Sequence, residues 1–212
     1  MAESGGTGAF SPADSAWDAG LQVQIVELNV QVLEAVRQRA GAGDGAPQPL
    51  LRELAPLWNT LDDSRLQALA RCPYLMLDAG FSRPDLWDAG VHETAPPAHW
   101  LAAVLPPELV RRAVMLGWHL ARTNPFAARI TLGMSPQCAQ LIGRTRLRDL
   151  ELLVERRAPS CRLRWEDRIA VWQQLLQAAL AGPVGTLQVL QLRGVQLLAA
   201  EDAPTPGRSR ST

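Results

Sequence analysis

Residues 135–165, SPQCAQLIGRTRLRDLELLVERRAPSCRLRW, decide how the rest of the chain is read. Ser135 is a side-chain oxygen in front of a proline, the arrangement of an N-cap followed by the first helical position. That helix is expected to end near Gly143, with Arg144 and Thr145 as the turn and Thr145 capping a second helix over 146–156. Leu147, Leu150 and Val154 give the second helix its apolar positions, and Pro159 stops it. Cys161-Arg162-Leu163-Arg164-Trp165 then alternates as a short strand does. Two short helices, a tight turn and a brief strand make this stretch helical with only a minor β component.

The flanking sequence agrees. Ala and Leu dominate and β-branched runs are rare, so a mainly α protein with short strands is expected. Upstream, Pro106-Pro107 opens a largely apolar helix over 107–123, and Pro125 begins another that Gly133 closes. Downstream, Ile169, Trp172, Leu175, Leu176 and Ala179 mark an amphipathic helix broken at Gly182-Pro183, and a last helix is expected over about 185–200. Near the N-terminus, Val26, Val30, Leu33 and Val36 predict a helix over 16–40. Leu21, Val23 and Ile25 also alternate as a strand would, but length and the lack of turn residues favour helix. Gly41 to Pro47 reads as a flexible loop, followed by helices near 49–57 and 62–71, the latter with Thr60 and Asp63 as an approximate capping box. Tyr74-Leu-Met-Leu77 is a strand candidate, Pro84 starts a short helix carrying Trp87, and Pro96-Pro97 reads as a linker.

This order repeats. Arg65-Leu66-x-x-Leu69 reappears as Arg146-Leu147-x-x-Leu150, and each copy later has a Cys and a Pro near its strand and then Trp87 or Trp172. The organisation expected is a disordered 1–15, an N-terminal helical half over 16–95, a C-terminal helical half over 106–201 and a disordered tail over 203–212. Duplication would let the two halves pack as a pseudo-dimer within one chain, independent of concentration. Chance similarity in a Leu/Ala-rich sequence explains the same echo, and both readings stay open here.

Charge divides along the same line. The formal net charge is zero, with 21 basic and 21 acidic residues, and every basic residue is Arg. Residues 1–105 hold 6 Arg against 13 Asp/Glu, whereas 106–176 hold 12 against 6. A uniformly basic coat for nucleic acid and an acidic disordered chain are both excluded. Cys72, Cys138 and Cys161 are too few and too widely spaced for a disulfide framework or a zinc site, which suits a reducing compartment. No segment reads as a signal peptide or bilayer span, so a soluble cytoplasmic protein is expected.

The second half resembles the flagellar transcriptional regulator FlhD family. The residues that carry this are Val114-Met-Leu-Gly-Trp-His-Leu-Ala121 leading into Ala127-Ala-Arg-Ile-Thr-Leu-Gly-Met134, then Leu147-x-x-Leu150 and Cys161-Arg-Leu-Arg-Trp165. Coverage is about 106–176, one third of the chain. Glu27-Leu-Asn-Val30 resembles the family's opening helix more faintly. The resemblance implies a dimeric helical transcriptional regulator that works with a second, zinc-carrying protein supplying much of the DNA contact. The tandem arrangement, the acidic first half and Trp165 in place of a Phe-type residue depart from the family pattern.

Helices 136–143 and 146–156 have the dimensions of a helix-turn-helix. Arg144, Arg146 and Arg148 lie where a recognition helix meets a groove, and Arg162, Arg164 and Arg168 are further candidates for phosphate contact. Asp149, Glu151 and Glu155 interleave with them, as on an ordinary helical hairpin with a solvated face. Trp118, Trp165 and Trp172 are candidate partner contacts, or core. His92, His99 and His119 are scattered, and Gly41-Ala-Gly-Asp-Gly45 lacks the strand and the Lys-Ser/Thr of a phosphate loop. No catalytic residues, metal or cofactor are expected, and no small-molecule substrate is identified. The sequence reads as a non-enzymatic FlhD-like regulator acting through a protein partner, with DNA as a further contact. The alternative is an adaptor of a secretion or flagellar apparatus without DNA binding.

Overall fold

The computed structural model describes residues 12–42, 48–88 and 99–201. The expected linker at Pro96-Pro97 and the tail over 203–212 lie outside them. Ten α-helices and one two-stranded sheet make up the described residues, so the chain is mainly α. Helix α1 (Pro12–Gly41) precedes α2 (Pro49–Glu53), α3 (Ala55–Thr60), α4 (Asp63–Ala70), strand β1 (Leu77–Asp78) and a 3-10 turn at Pro84–Leu86. After a 3-10 turn at Trp100–Ala103 come α5 (Pro107–Thr123), α6 (Pro125–Leu132), α7 (Pro136–Arg144) and α8 (Leu150–Arg157). Strand β2 (Arg162–Leu163), α9 (Ile169–Ala181) and α10 (Val184–Glu201) complete the order.

Helix α1 settles the choice between periodicities. Leu21, Ile25, Leu28, Val32, Leu33 and Val36 are buried, a helical stripe, whereas Val23 is 61% exposed. The buried face is rotated from the one expected, with Val26 and Val30 only packed along its edge.

Capping accounts for most boundaries. Ser135 accepts from the Cys138 N–H at 3.2 Å, as its position before Pro136 requires. Asn124 does the same for α6, accepting from Ala127 N at 3.0 Å, and Gly133 ends that helix at φ 63°. Two expectations need correction. Asp62, not Thr60, caps α4 by accepting from Arg65 N at 2.8 Å, while the Thr60 hydroxyl donates to Pro56 O. Thr145 donates its hydroxyl back to Leu141 O and caps nothing ahead, so the chain re-enters helix through a 3-10 turn at Leu147–Asp149. The expected single helix at 49–57 is likewise two, α2 and α3, divided at Leu54.

The strands are shorter than the sequence implies, and side chains are the reason. Leu77 pairs antiparallel with Leu163 and Asp78 with Arg162. Just before β1, Tyr74 O accepts from Asn29 Nδ2 at 2.8 Å, Leu75 O from Arg164 Nε at 2.8 Å, and Met76 N donates to Asn29 Oδ1 at 2.7 Å. Polar side chains thus take up backbone groups that a longer ladder would have used. After β2, Trp165 adopts φ 55°, the one positive φ outside glycine among the described residues, and turns the chain out of the strand.

One contiguous core joins the two sequence halves. Helix α9, which follows β2, packs on α2, α3 and α4, and the 3-10 turn that follows β1 packs on α7. Trp172 lies against Trp58 with ring centroids 5.5 Å apart. Phe81 lies against α5 at Gly117, where a Cβ would come within 2.6 Å of the phenyl ring. Helix α10 crosses onto α9 and α6 and meets Tyr74 at Gly194, a close approach that a side chain would prevent.

Candidate functional site

The six arginines expected to meet DNA fall into two classes. Arg144, Arg146 and Arg148 are exposed on and just beyond the end of α7. Arg146 Nε lies 3.2 Å from Asp149 Oδ2 and Arg148 Nε 3.7 Å from Asp149 Oδ1, so one carboxylate serves both. Trp118, half-buried on α5, donates its indole N–H to Thr145 O at 2.8 Å and fixes this corner from beneath. Arg122 stacks over the same indole at 4.8 Å, adding a fourth cation beside the corner. Arg162 is exposed on β2, and Arg168 pairs with Glu201 at 3.0 Å.

Arg164 is different. It is only 5% exposed, and its guanidinium donates to Leu75 O and Leu132 O. It is a structural cation inside the fold and is not presented to a phosphate. The helix-turn-helix geometry is also altered. The segment after the turn begins as 3-10, and its exposed face carries Leu147 and Leu152 at 60% and 55% exposure. Glu151 on the same element bridges to Arg111 at 3.0 Å.

The three tryptophans expected at a partner surface are likewise divided. Trp172 is core, 1% exposed, with its N–H on Arg164 O at 2.8 Å. Trp165 is buried edge-on to Tyr74 and donates to Glu201 Oε1 at 3.0 Å, sharing that carboxylate with Arg168. Trp118 alone is half-open.

Sequence reading missed three features. Asn29, fully buried, donates to Ala70 O and Tyr74 O and accepts from Met76 N. Its signal was available: it stands four residues from both Ile25 and Leu33, inside the apolar stripe. The second is a coupled pair. His99 Nε2 lies 2.7 Å from Glu166 Oε1, and the Trp100 N–H donates to Glu166 Oε2 at 3.1 Å. His99 Nδ1 accepts from Leu101 N, which leaves the ring proton on Nε2, facing the carboxylate. A full ion pair would raise the imidazole and lower the carboxyl. Burial instead pushes His99 down, helped by the Arg162 charge, and pushes Glu166 up. The two groups therefore meet where burial disfavours the charge on each. The third is Arg157, 8% exposed beside Trp87, whose Nε and Nη1 have no hydrogen-bond partner.

Burial pushes the Cys72 and Cys161 thiols up to about 12, away from the reactive thiolate. Among the described residues, no three His, Cys, Asp or Glu side chains are grouped to hold a metal ion. Among the same residues, no helix is long and apolar enough to cross a membrane.

Comparison with family models, curated proteins and solved structures found no match.

Proposed function

We propose that this chain is a non-enzymatic transcriptional regulator similar to FlhD, in which two related halves form a pseudo-dimer within one polypeptide and act through a protein partner. The observation that carries this reading is the register of the strand pair. Leu77 stands four residues after Pro73 and Leu163 four residues after Pro159, and these two leucines are opposite each other. A two-fold axis through an antiparallel pair brings equivalent residues face to face in this way. The exchange of packing is reciprocal as well, since α9 lies on the first half's helices and the turn after β1 lies on α7. The indoles that follow each strand echo it. Trp87 donates to Gly80 O and Trp172 to Arg164 O, both at 2.8 Å and both back to the turn after the strand.

DNA contact, in this reading, rests on Arg144, Arg146, Arg148, Arg162 and Arg168, with the buried Arg164 removed from the set. A second reading, an adaptor that never touches DNA, draws on the local neutralisation of Arg146 and Arg148 by Asp149 and of Arg168 by Glu201. Titration of fluorescent duplex DNA against salt separates the two. The regulator is expected to lose duplex steeply as salt rises, and R146A/R148A to bind more weakly with a shallower salt slope. No duplex retained at low salt, either alone or with a co-purified partner from the native host, overturns the DNA-binding regulator in favour of the adaptor.

A further inference from the structure

A groove of about 680 Å³ runs between the N-terminal part of α1 and α10, floored by the segment that follows α4. Its walls are fixed. Gln22 Nε2 donates to Arg71 O and Cys72 O at 3.4 and 3.3 Å, and Gln191 Nε2 donates to Ala68 O and Leu69 O at 3.0 and 3.2 Å. The lining is apolar where it is open, with Val23 61% and Leu192 62% exposed and Val26 half-buried between them. Val189, 52% exposed on α10, extends the apolar surface of the same helix. Exposed aliphatic side chains of this size gathered around a concavity mark a contact surface.

Two charges belong to the same groove, Glu27 on α1 and Arg71 after α4. Both side chains are exposed, and neither has an ion-pair partner among the described residues. We propose that this groove is a self-association surface and that its occupant is a second copy of the chain. The patch holds what an isologous contact requires: aliphatic knobs, a cavity to receive them, and one charge of each sign. A two-fold axis between Glu27 and Arg71 sets Glu27 of each copy against the opposing arginine, twice, while Val23 and Leu192 fill the facing groove. A helix from an unrelated protein would have to supply both charges in the right order, whereas a second copy already carries them. This interface does not depend on the regulator reading.

Sedimentation velocity over a micromolar to submillimolar range tests it, using the full chain. Wild type is expected to shift from monomer to dimer. E27R and R71E each place like charges in opposition and are expected to weaken the dimer by about tenfold or more. E27R/R71E restores both pairs and the dimer. Mixing the two single variants is the sharpest arm. Each alone is expected to associate weakly, but one now carries two arginines and the other two glutamates, so the mixture is expected to form a heterodimer more readily than either variant self-associates. L192E, on the apolar wall, is expected to abolish association without a compensating charge partner. Thermal melts of each variant confirm folding, because Glu27, Arg71 and Leu192 are all on the surface. A wild-type monomer at every concentration overturns the proposal, including one that captures an amphipathic helical peptide in the groove. So does a dimer indifferent to these substitutions, or a mixture of E27R and R71E that stays monomeric.

Discussion

Asn29 and Arg164 both fasten the chain at the β1–β2 pair, one from the acidic half with a neutral amide and the other from the Arg-rich half with a cation. The amide offers both hydrogen-bond polarities. It gives carbonyls at residues 70 and 74 a donor and gives Met76 N–H an acceptor. The guanidinium only donates, so it reaches carbonyls alone, at Leu75 and Leu132. The difference shows that the charge split along the sequence is not a split between surfaces. Part of the second half's positive excess is spent inside the fold, where it joins the two halves. A buried cation also carries a desolvation cost that a buried amide avoids.

That contrast predicts an order of effects. Asn29→Ala should be the more damaging change, at about 3–4 kcal/mol, because it opens a cavity and leaves the Met76 N–H and at least one carbonyl without a partner. Arg164→Met should cost less, about 2–3 kcal/mol, since the lost hydrogen bonds are offset in part by removing a buried charge. Urea denaturation of both variants checks the ranking, and the reverse order would mean that the cation is the principal fastener. R146A, on the surface, should stay within about 0.5 kcal/mol of wild type in the same experiment. Combining Asn29→Ala with Arg164→Met should be non-additive by about 0.5 kcal/mol or more, because both act on residues 74–76. Strict additivity would indicate two independent clamps.

The smallest effect concerns pH. His99 is held below its ordinary value of 6.5, so the folded state binds fewer protons than the unfolded chain just below that pH. Its contribution to stability is therefore complete above about 6.5 and is lost as pH falls through the depressed value. Glu166, held above 4.5, acts with the opposite sign, its contribution being lost as pH rises through the raised value. H99Q keeps a donor for Glu166 without the titration, and its melting temperature should decline less than wild type's as the pH is lowered from 7 toward 5.5. An unchanged slope would remove His99 from this role.

The parts of the fold legible from sequence are those written in local chemistry. Ser135-Pro136, Pro125 and Gly133 specify helix ends through local backbone chemistry, and they stand where they were read. The failures share a different cause. Strand length at β1 and β2 depends on Asn29 and Arg164, which arrive from 47 and 89 residues away in sequence. The placement of Arg164 had no local signal, since an arginine in an alternating strand is expected on the solvent side. Trp172 reads from sequence as core or partner contact alike, and only its packing on Trp58, in the other half, decides for core. The buried Asn29 was legible in retrospect from its place in the α1 stripe. The α1–α10 groove was not, because its walls meet only in the tertiary fold.

The contact between Trp58 and Trp172 also has an optical consequence. One indole comes from each half, with the ring planes inclined at 39° and the centroids 5.5 Å apart. Two identical transition dipoles at that separation and tilt exchange excitation and, as a coupled pair, absorb left- and right-circularly polarised light unequally. The chain therefore carries its own chiroptical gauge of whether its halves are joined, a signed doublet in the indole bands that would collapse to two independent chromophores if α9 left α3.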